Sequence, residues 1–296
     1  MKNFYIFFIL VFFAFRIEAQ TGQNQKLSVH YEELTAPDFV KANQQSGGVC
    51  LLPFGIIEKH GPHLPLGTDL LDSRLVASMA AEKEYSVIFP PYYTGQINEA
   101  RHQPGTISYS HELIWNMMQE TCDELSRNGF KKIIIVNGHG GNNDFLRYFC
   151  MSQLHTPKDY VVMVFEPKET EDMMKAVTKL RKTTTGGHAD EEETSMMLFN
   201  RPELVKQGMA KSQSGADQAQ LSSVPGQYTG IWWYGHYPNH YAGDGSQGSK
   251  ELGKLIMDYE STQLAELIKT IKNSNAIEDL QKKFYDQAAN PLKTGQ

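Results

Sequence analysis

Four short runs rich in β-favouring residues, at 49–54, 86–89, 132–136 and 160–165, alternate with stretches of helical periodicity. This alternation limits the fold more than any other feature of the chain. Strands linked through helices run parallel, and helices must then cover both faces of the sheet. Ile133-Ile134-Ile135-Val136 is apolar at every position, as a strand buried on both sides requires. Helices are expected at 70–84, 111–128, 143–154, 171–180, 192–200 and 249–272, with Ser110 as an N-cap and Gly129 just past the helix it opens. The expectation is a layered α/β domain with a mainly parallel sheet. Sites in such sheets lie beyond the carboxyl ends of the strands.

Two strand ends lead directly into chemistry-bearing loops. After the first comes Glu58-Lys59-His60-Gly61-Pro62-His63-Leu64-Pro65-Leu66-Gly67-Thr68-Asp69. Glu, His and Asp are the donors that divalent metals select. Glu58 and His60, two apart, share one side of an extended backbone. A solvated loop with a capping Asp would explain this cluster equally well if it stood alone. The strand at 132–136 runs into Asn137-Gly138-His139-Gly140-Gly141-Asn142. Its glycines permit close backbone approach, and the loop lacks the Lys and spacing of a phosphate loop, so His139 reads as a metal ligand.

A third segment, Gly187-His188-Ala189-Asp190-Glu191-Glu192-Glu193-Thr194-Ser195, opens a helix with four acids. Complementing the macrodipole accounts for most of them. His188 and Glu193, five apart across the turn, are candidates for proton donor and ligand, in an order that spacing leaves open. Ala100-Arg101-His102-Gln103-Pro104-Gly105-Thr106 is a weaker signal, with His102 a candidate substrate contact. Residues 211–230 read as a long Ser/Gln/Gly-rich loop. Residues 231–248 carry Trp232, Trp233, Tyr234, His236, Tyr237, His240 and Tyr241, too aromatic for a linker.

The chain begins with Lys2, an apolar run at 4–15, Arg16 and Ala19, the form of a cleavable secretory signal over residues 1–19. Twelve apolar residues are short for a membrane span, so a periplasmic or secreted protein without a stable anchor is expected. With no internal repeat or boundary in sight, residues 20–296 read as one domain. The net charge of −6 and the absence of a basic stripe argue against nucleic acid as a partner. Cys50, Cys122 and Cys150, an odd count without zinc-ribbon spacing, read as buried free thiols.

Taken together, the segments resemble the creatininase (creatinine amidohydrolase) family. The matching anchors are Glu58 to Asp69, Pro104 to Thr106, Asn137 to Asn142 and His188 to Ser195, in the family's order across residues 49–255. The resemblance implies a three-layer α/β/α sandwich, two divalent ions (Zn, Mn or Fe) and a homo-oligomer, a hexamer being the family's common assembly. It implies that Glu58 and His139 hold one ion, that His60 holds the other, and that Asp69 bridges them. His188 matches the family's proton-shuttling His. Creatinine-hydrolysing members carry a Glu where Gly141 stands, and Glu193 is the natural replacement ligand. They also carry a Trp shortly before His188, where this chain has Lys182-Thr183-Thr184-Thr185-Gly186-Gly187. Trp232 or Trp233 could supply an aromatic wall instead, with core packing as the alternative for either; Trp232 is taken as the candidate.

The function expected is a metal-dependent hydrolase acting on a small polar molecule at a cyclic amide or other C–N bond. A keto-sugar or keto-inositol substrate is the alternative. A non-catalytic metal-containing binding protein is the alternative of a different class.

Overall fold

The computed structural model describes residues 27–295. The expected signal at 1–19 lies outside them. Strands β1 (Val49–Phe54), β2 (Val87–Ile88), β3 (Lys132–Asn137) and β4 (Val161–Val164) form one parallel sheet in the order β2-β1-β3-β4. β2 is shorter than the run at 86–89 suggested. Phe89 still donates to the Leu51 carbonyl, but Pro90 and Pro91 come next and can donate no ladder hydrogen bond.

Alternate residues of the central strands feed two separate cores. Val49 and Leu51 of β1 and Ile134 and Val136 of β3 pack against α2 (Thr68–Lys83) and α8 (Lys250–Lys272). Cys50, Leu52, Phe54, Ile133 and Ile135 face the other way. There they meet α1 (Ala36–Gln45), α3 (His111–Arg127) and α4 (Asn143–Ser152). The period of two along each strand thus makes the α/β/α sandwich. Ser110 caps α3 by accepting from the Leu113 N–H. All three cysteines are free; Cys50 and Cys122 are buried and Cys150 is partly so.

Three helices had no counterpart in the sequence reading, one of them a five-residue helix within the aromatic segment. α1 is capped by Thr35 and carries a proline in its first turn. α9 (Ala276–Ala288) buries no residue fully and lies on β4 through Gln281 and Tyr285, whose side chains reach the Tyr160 and Gln153 carbonyls. Between α4 and α8 come α5 (Glu171–Leu180), α6 (Glu191–Asn200) and the short α7 (Trp232–His236).

Helix α8 crosses α6 so closely that Gly253 is the only size tolerated there. A Cβ at Gly253 would fall far inside contact with the Ser195 carbonyl oxygen. Gly253→Ala is therefore expected to cost about 3 kcal/mol, because two helix backbones must part. Urea denaturation at equilibrium checks it; a loss below about 1 kcal/mol would show that the crossing yields easily.

Among the described residues, no helix is long and apolar enough to cross a membrane.

Candidate metal centre

The sheet order puts β1 beside β3, while β1 leads on to β2 and β3 to β4, in opposite directions. Ligands bind at such a switch point in open α/β sheets. Both chemistry-bearing loops leave the sheet there. Gly55 and Gly138, each directly after its strand, have no room for a Cβ against the first turn of α2. That close approach brings Asp69 between the two loops.

The side chains from these segments converge. His139 Nε2 lies 3.0 Å from the Gln96 carbonyl oxygen. A carbonyl only accepts, so Nε2 carries the hydrogen and Nδ1 presents its lone pair. Nδ1 lies 2.8 Å from Glu58 Oε1 and 3.2 Å from Asp69 Oδ2. Neither oxygen has an aligned hydrogen-bond donor, although both are buried. His60 repeats the device in the other sense. Its Nδ1 faces the Glu58 carbonyl oxygen at 3.3 Å, leaving Nε2 2.8 Å from Asp69 Oδ1 and 3.8 Å from Glu193 Oε2. Asp69 thereby turns one oxygen to each group.

Such a set requires positive charge. Burial alone would raise the Glu58 carboxyl, but the His139 ring beside it, helped by the contact with His240, holds it well below its ordinary range. Burial likewise opposes a proton on His60, yet the Asp69 carboxylate beside it lifts the ring to about 10. His139 is raised well above its ordinary value by Glu58 and Asp69, again against burial. Lone pairs of two imidazoles and three carboxylates aimed inward are the donor set for divalent metals, which would displace those protons. The residues fit a divalent metal: Glu58, Asp69 and His139 converge on one side, and His60 stands on the other with Asp69 at 2.8 Å and Glu193 at 3.8 Å. Among the described residues, donor atoms of Glu58, Asp69 and His139 lie within 4.8 Å of one another, as do those of Glu58, His60 and His188. In the second set His188 is the weaker ligand, because its Nε2 lies 2.8 Å from the Lys59 carbonyl oxygen and so carries hydrogen.

Gly141 explains why the ligand at that position is absent. A Cβ there would collide with His139 Nε2, so the His139 ring occupies the space a side chain would need. Glu193 reaches the centre from α6, its Oε2 accepting from the Ala189 N–H at 2.6 Å. Burial pushes its carboxyl up to about 8. The other acids of that run have separate tasks beyond the macrodipole. Asp190 caps α6 through the Glu192 and Glu193 N–H groups. Glu191 accepts from the Lys182 and Thr183 N–H groups, and Glu192 pairs with Arg181 at 2.7 Å.

His188 is 5% exposed, its ring tilted against that of His60 with centroids 4.4 Å apart. Its backbone is pinned to Ala242 in both directions. The two candidate substrate contacts stand farther out. His102 is exposed and faces the Pro238 carbonyl at 2.9 Å, with Tyr234 edge-on. Trp232 packs on His236, ring to ring at 4.4 Å. It is Trp233 that faces His188, at 6.0 Å, and Trp233 also bonds His240, which touches Glu58. Trp233 stood beside Trp232 as a possible wall but was not the one taken, and His240 carried no assigned role. Both stand in the aromatic segment, but which of its rings turns inward depends on α7.

The family profile described as creatinine amidohydrolase matches residues 32–268. The creatinine amidohydrolase of Pseudomonas putida is 28% identical over 124 residues, 40% of this chain and 48% of that protein. The mycofactocin precursor peptide peptidase of Mycolicibacterium smegmatis is 35% identical over 104 residues, 33% of this chain and 42% of that protein. The chain thus spans about half the length of these relatives or less. A manganese creatininase superimposes with a TM-score of 0.70 at 22% identity, covering 83% of this chain and all of that one. A zinc–zinc creatininase variant gives 0.70 over 83% and 99%. One profile runs unbroken through the sheet, both loops at its switch point and α6, and so the chain belongs to the creatininase family.

Proposed function

We propose that this protein is a metal-dependent hydrolase of an amide-type C–N bond in a small polar substrate, outside the creatinine-hydrolysing branch of its family. The supporting observation is His139 Nδ1 aimed at two buried carboxylate oxygens that no hydrogen-bond donor satisfies. The position at Gly141 and the run before His188 differ from the creatinine-hydrolysing pattern. The relatives named as peptidases support a C–N bond other than creatinine's.

Two divalent ions held there, zinc or manganese foremost, would supply Lewis acidity toward a carbonyl and a nucleophile at neutral pH. The chain's own residues do the rest. His188 gives its Nε2 hydrogen to the Lys59 carbonyl, so its Nδ1 lone pair faces the Glu193 side, 3.9 Å from Oε2. Burial holds the ring well below its ordinary value, hence neutral and able to accept a proton. It can take that proton as the nucleophile adds and return it to the leaving nitrogen. Trp233 closes one side of this position and excludes water from it.

Purified protein loaded with Zn²⁺ or Mn²⁺ should hold two ions per chain and hydrolyse a member of a panel of cyclic amides and short peptides. Two bound ions with no turnover on any amide would favour a ligand-binding role instead. The proposal places the mature chain outside the cytoplasm on the strength of residues 1–19; fractionation of cells expressing the full chain tests that.

A further inference from the structure

The excursion that carries the aromatic residues is tied down over the Glu58 loop. Lys59 Nζ donates to the Asn239 carbonyl at 2.6 Å and to Gln213 Oε1 at 2.7 Å. The Gly61 N–H donates to the His240 carbonyl at 3.4 Å. His240, at the end of this strap, is 2% exposed and has a φ of 50°, a left-handed backbone uncommon for a residue other than glycine and adopted at some cost in strain. Strain of this kind persists where the surroundings over-determine it, and here they do.

Trp233 Nε1–H donates to His240 Nδ1 at 2.9 Å. An indole nitrogen can only donate, so Nδ1 accepts and the ring hydrogen of neutral His240 sits on Nε2. That Nε2 is in hydrogen-bond contact with Glu58 Oε2. The other oxygen, Oε1, is then the one turned toward His139 Nδ1. His240 belongs to neither group of converging metal donors among the described residues. Its task is therefore to orient a ligand.

We infer that His240, with its tautomer set by Trp233, is a positioning residue that locks the Glu58 carboxylate with Oε1 facing His139 and Asp69. It governs the ion on that side and leaves the ion on the His60–Glu193 side alone. The inference rests on the metal-centre reading. Partners that fix a metal ligand's orientation commonly matter 10–100-fold in affinity.

The test compares wild type with His240→Asn, His240→Gln and Trp233→Phe. Each is loaded with Mn²⁺ and dialysed against graded chelator; ions per chain are then counted, and thermal unfolding is recorded in parallel. Asparagine tolerates the left-handed backbone, but its amide stops where Nδ1 stood, short of Glu58. His240→Asn should bind one of its two ions about 10–100-fold more weakly and the other as wild type does. His240→Gln, whose amide nitrogen reaches the place of Nε2, should restore most of that affinity. Trp233→Phe should shift the same ion in the same direction by less. The inference is overturned if His240→Asn keeps both ions at wild-type affinity, if both weaken alike, or if glutamine fails as asparagine does in a folded protein. Wild type that binds no ions would instead overturn the metal centre itself, and the wild-type sample alone reveals that.

Discussion

Asp69→Asn is expected to keep the fold, hold fewer than two ions, and lose about 10³-fold or more in kcat/KM, equivalent to about 4 kcal/mol of transition-state stabilisation. The reason is geometric. Asp69 turns Oδ2 to His139 and Oδ1 to His60, so in the proposed centre one side chain would serve both ions. An asparagine keeps the shape but offers one acceptor oxygen and no charge. The apo protein should lose some stability, because Asp69 is a carboxylate that lifts the buried His60 and His139 rings against desolvation. Elemental analysis of the purified variant, together with kinetics on whichever amide the panel identifies, checks this. Two tightly bound ions and turnover within tenfold of wild type would remove Asp69 from the bridging position.

His188→Gln is expected to lower kcat by about 10²–10⁴-fold while both ions remain. Glutamine can still donate an N–H to the Lys59 carbonyl and fill most of the space of the ring, but it cannot carry a proton between two groups. The paired metal measurement separates the two readings of this residue. If an ion leaves together with the activity, the group of Glu58, His60 and His188 is a genuine ligand set and His188 belongs in it.

Much of this was legible before any coordinates. The strand at Lys132–Asn137 could be read because every residue in it is apolar or at an end, and α3 because Ser110 and Gly129 bracket an amphipathic stretch. Five residues of the candidate centre could be named because ligand chemistry restricts their types and the glycines and prolines around them mark loops. α1 and α9 were not legible. The first starts inside a polar, proline-bearing stretch, and the second buries no residue fully, so its hydrophobic pattern is weak. Of the two tryptophans that could form a wall, Trp232 was taken, and Trp233 is the one whose ring faces His188. Trp232 and Trp233 are adjacent, and along a helix neighbours point about 100° apart, so only the start of α7 decides which faces His188.

By itself, the amino-acid sequence determined the layered parallel architecture, the order of the loops at the strand ends, and the donor types available to a metal. Those follow from local chemistry and from periods of two and 3.6 residues. Only the tertiary structure decided which nitrogen of each imidazole is free, since that depends on whether a backbone carbonyl from Gln96, Glu58 or Lys59 takes the other. It also decided that His240, 182 residues from Glu58 along the chain, is the side chain that holds Glu58 in place. Contacts of that separation leave no trace in local pattern. They arise because a strap between α6 and α8 folds back over the carboxyl ends of β1 and β3.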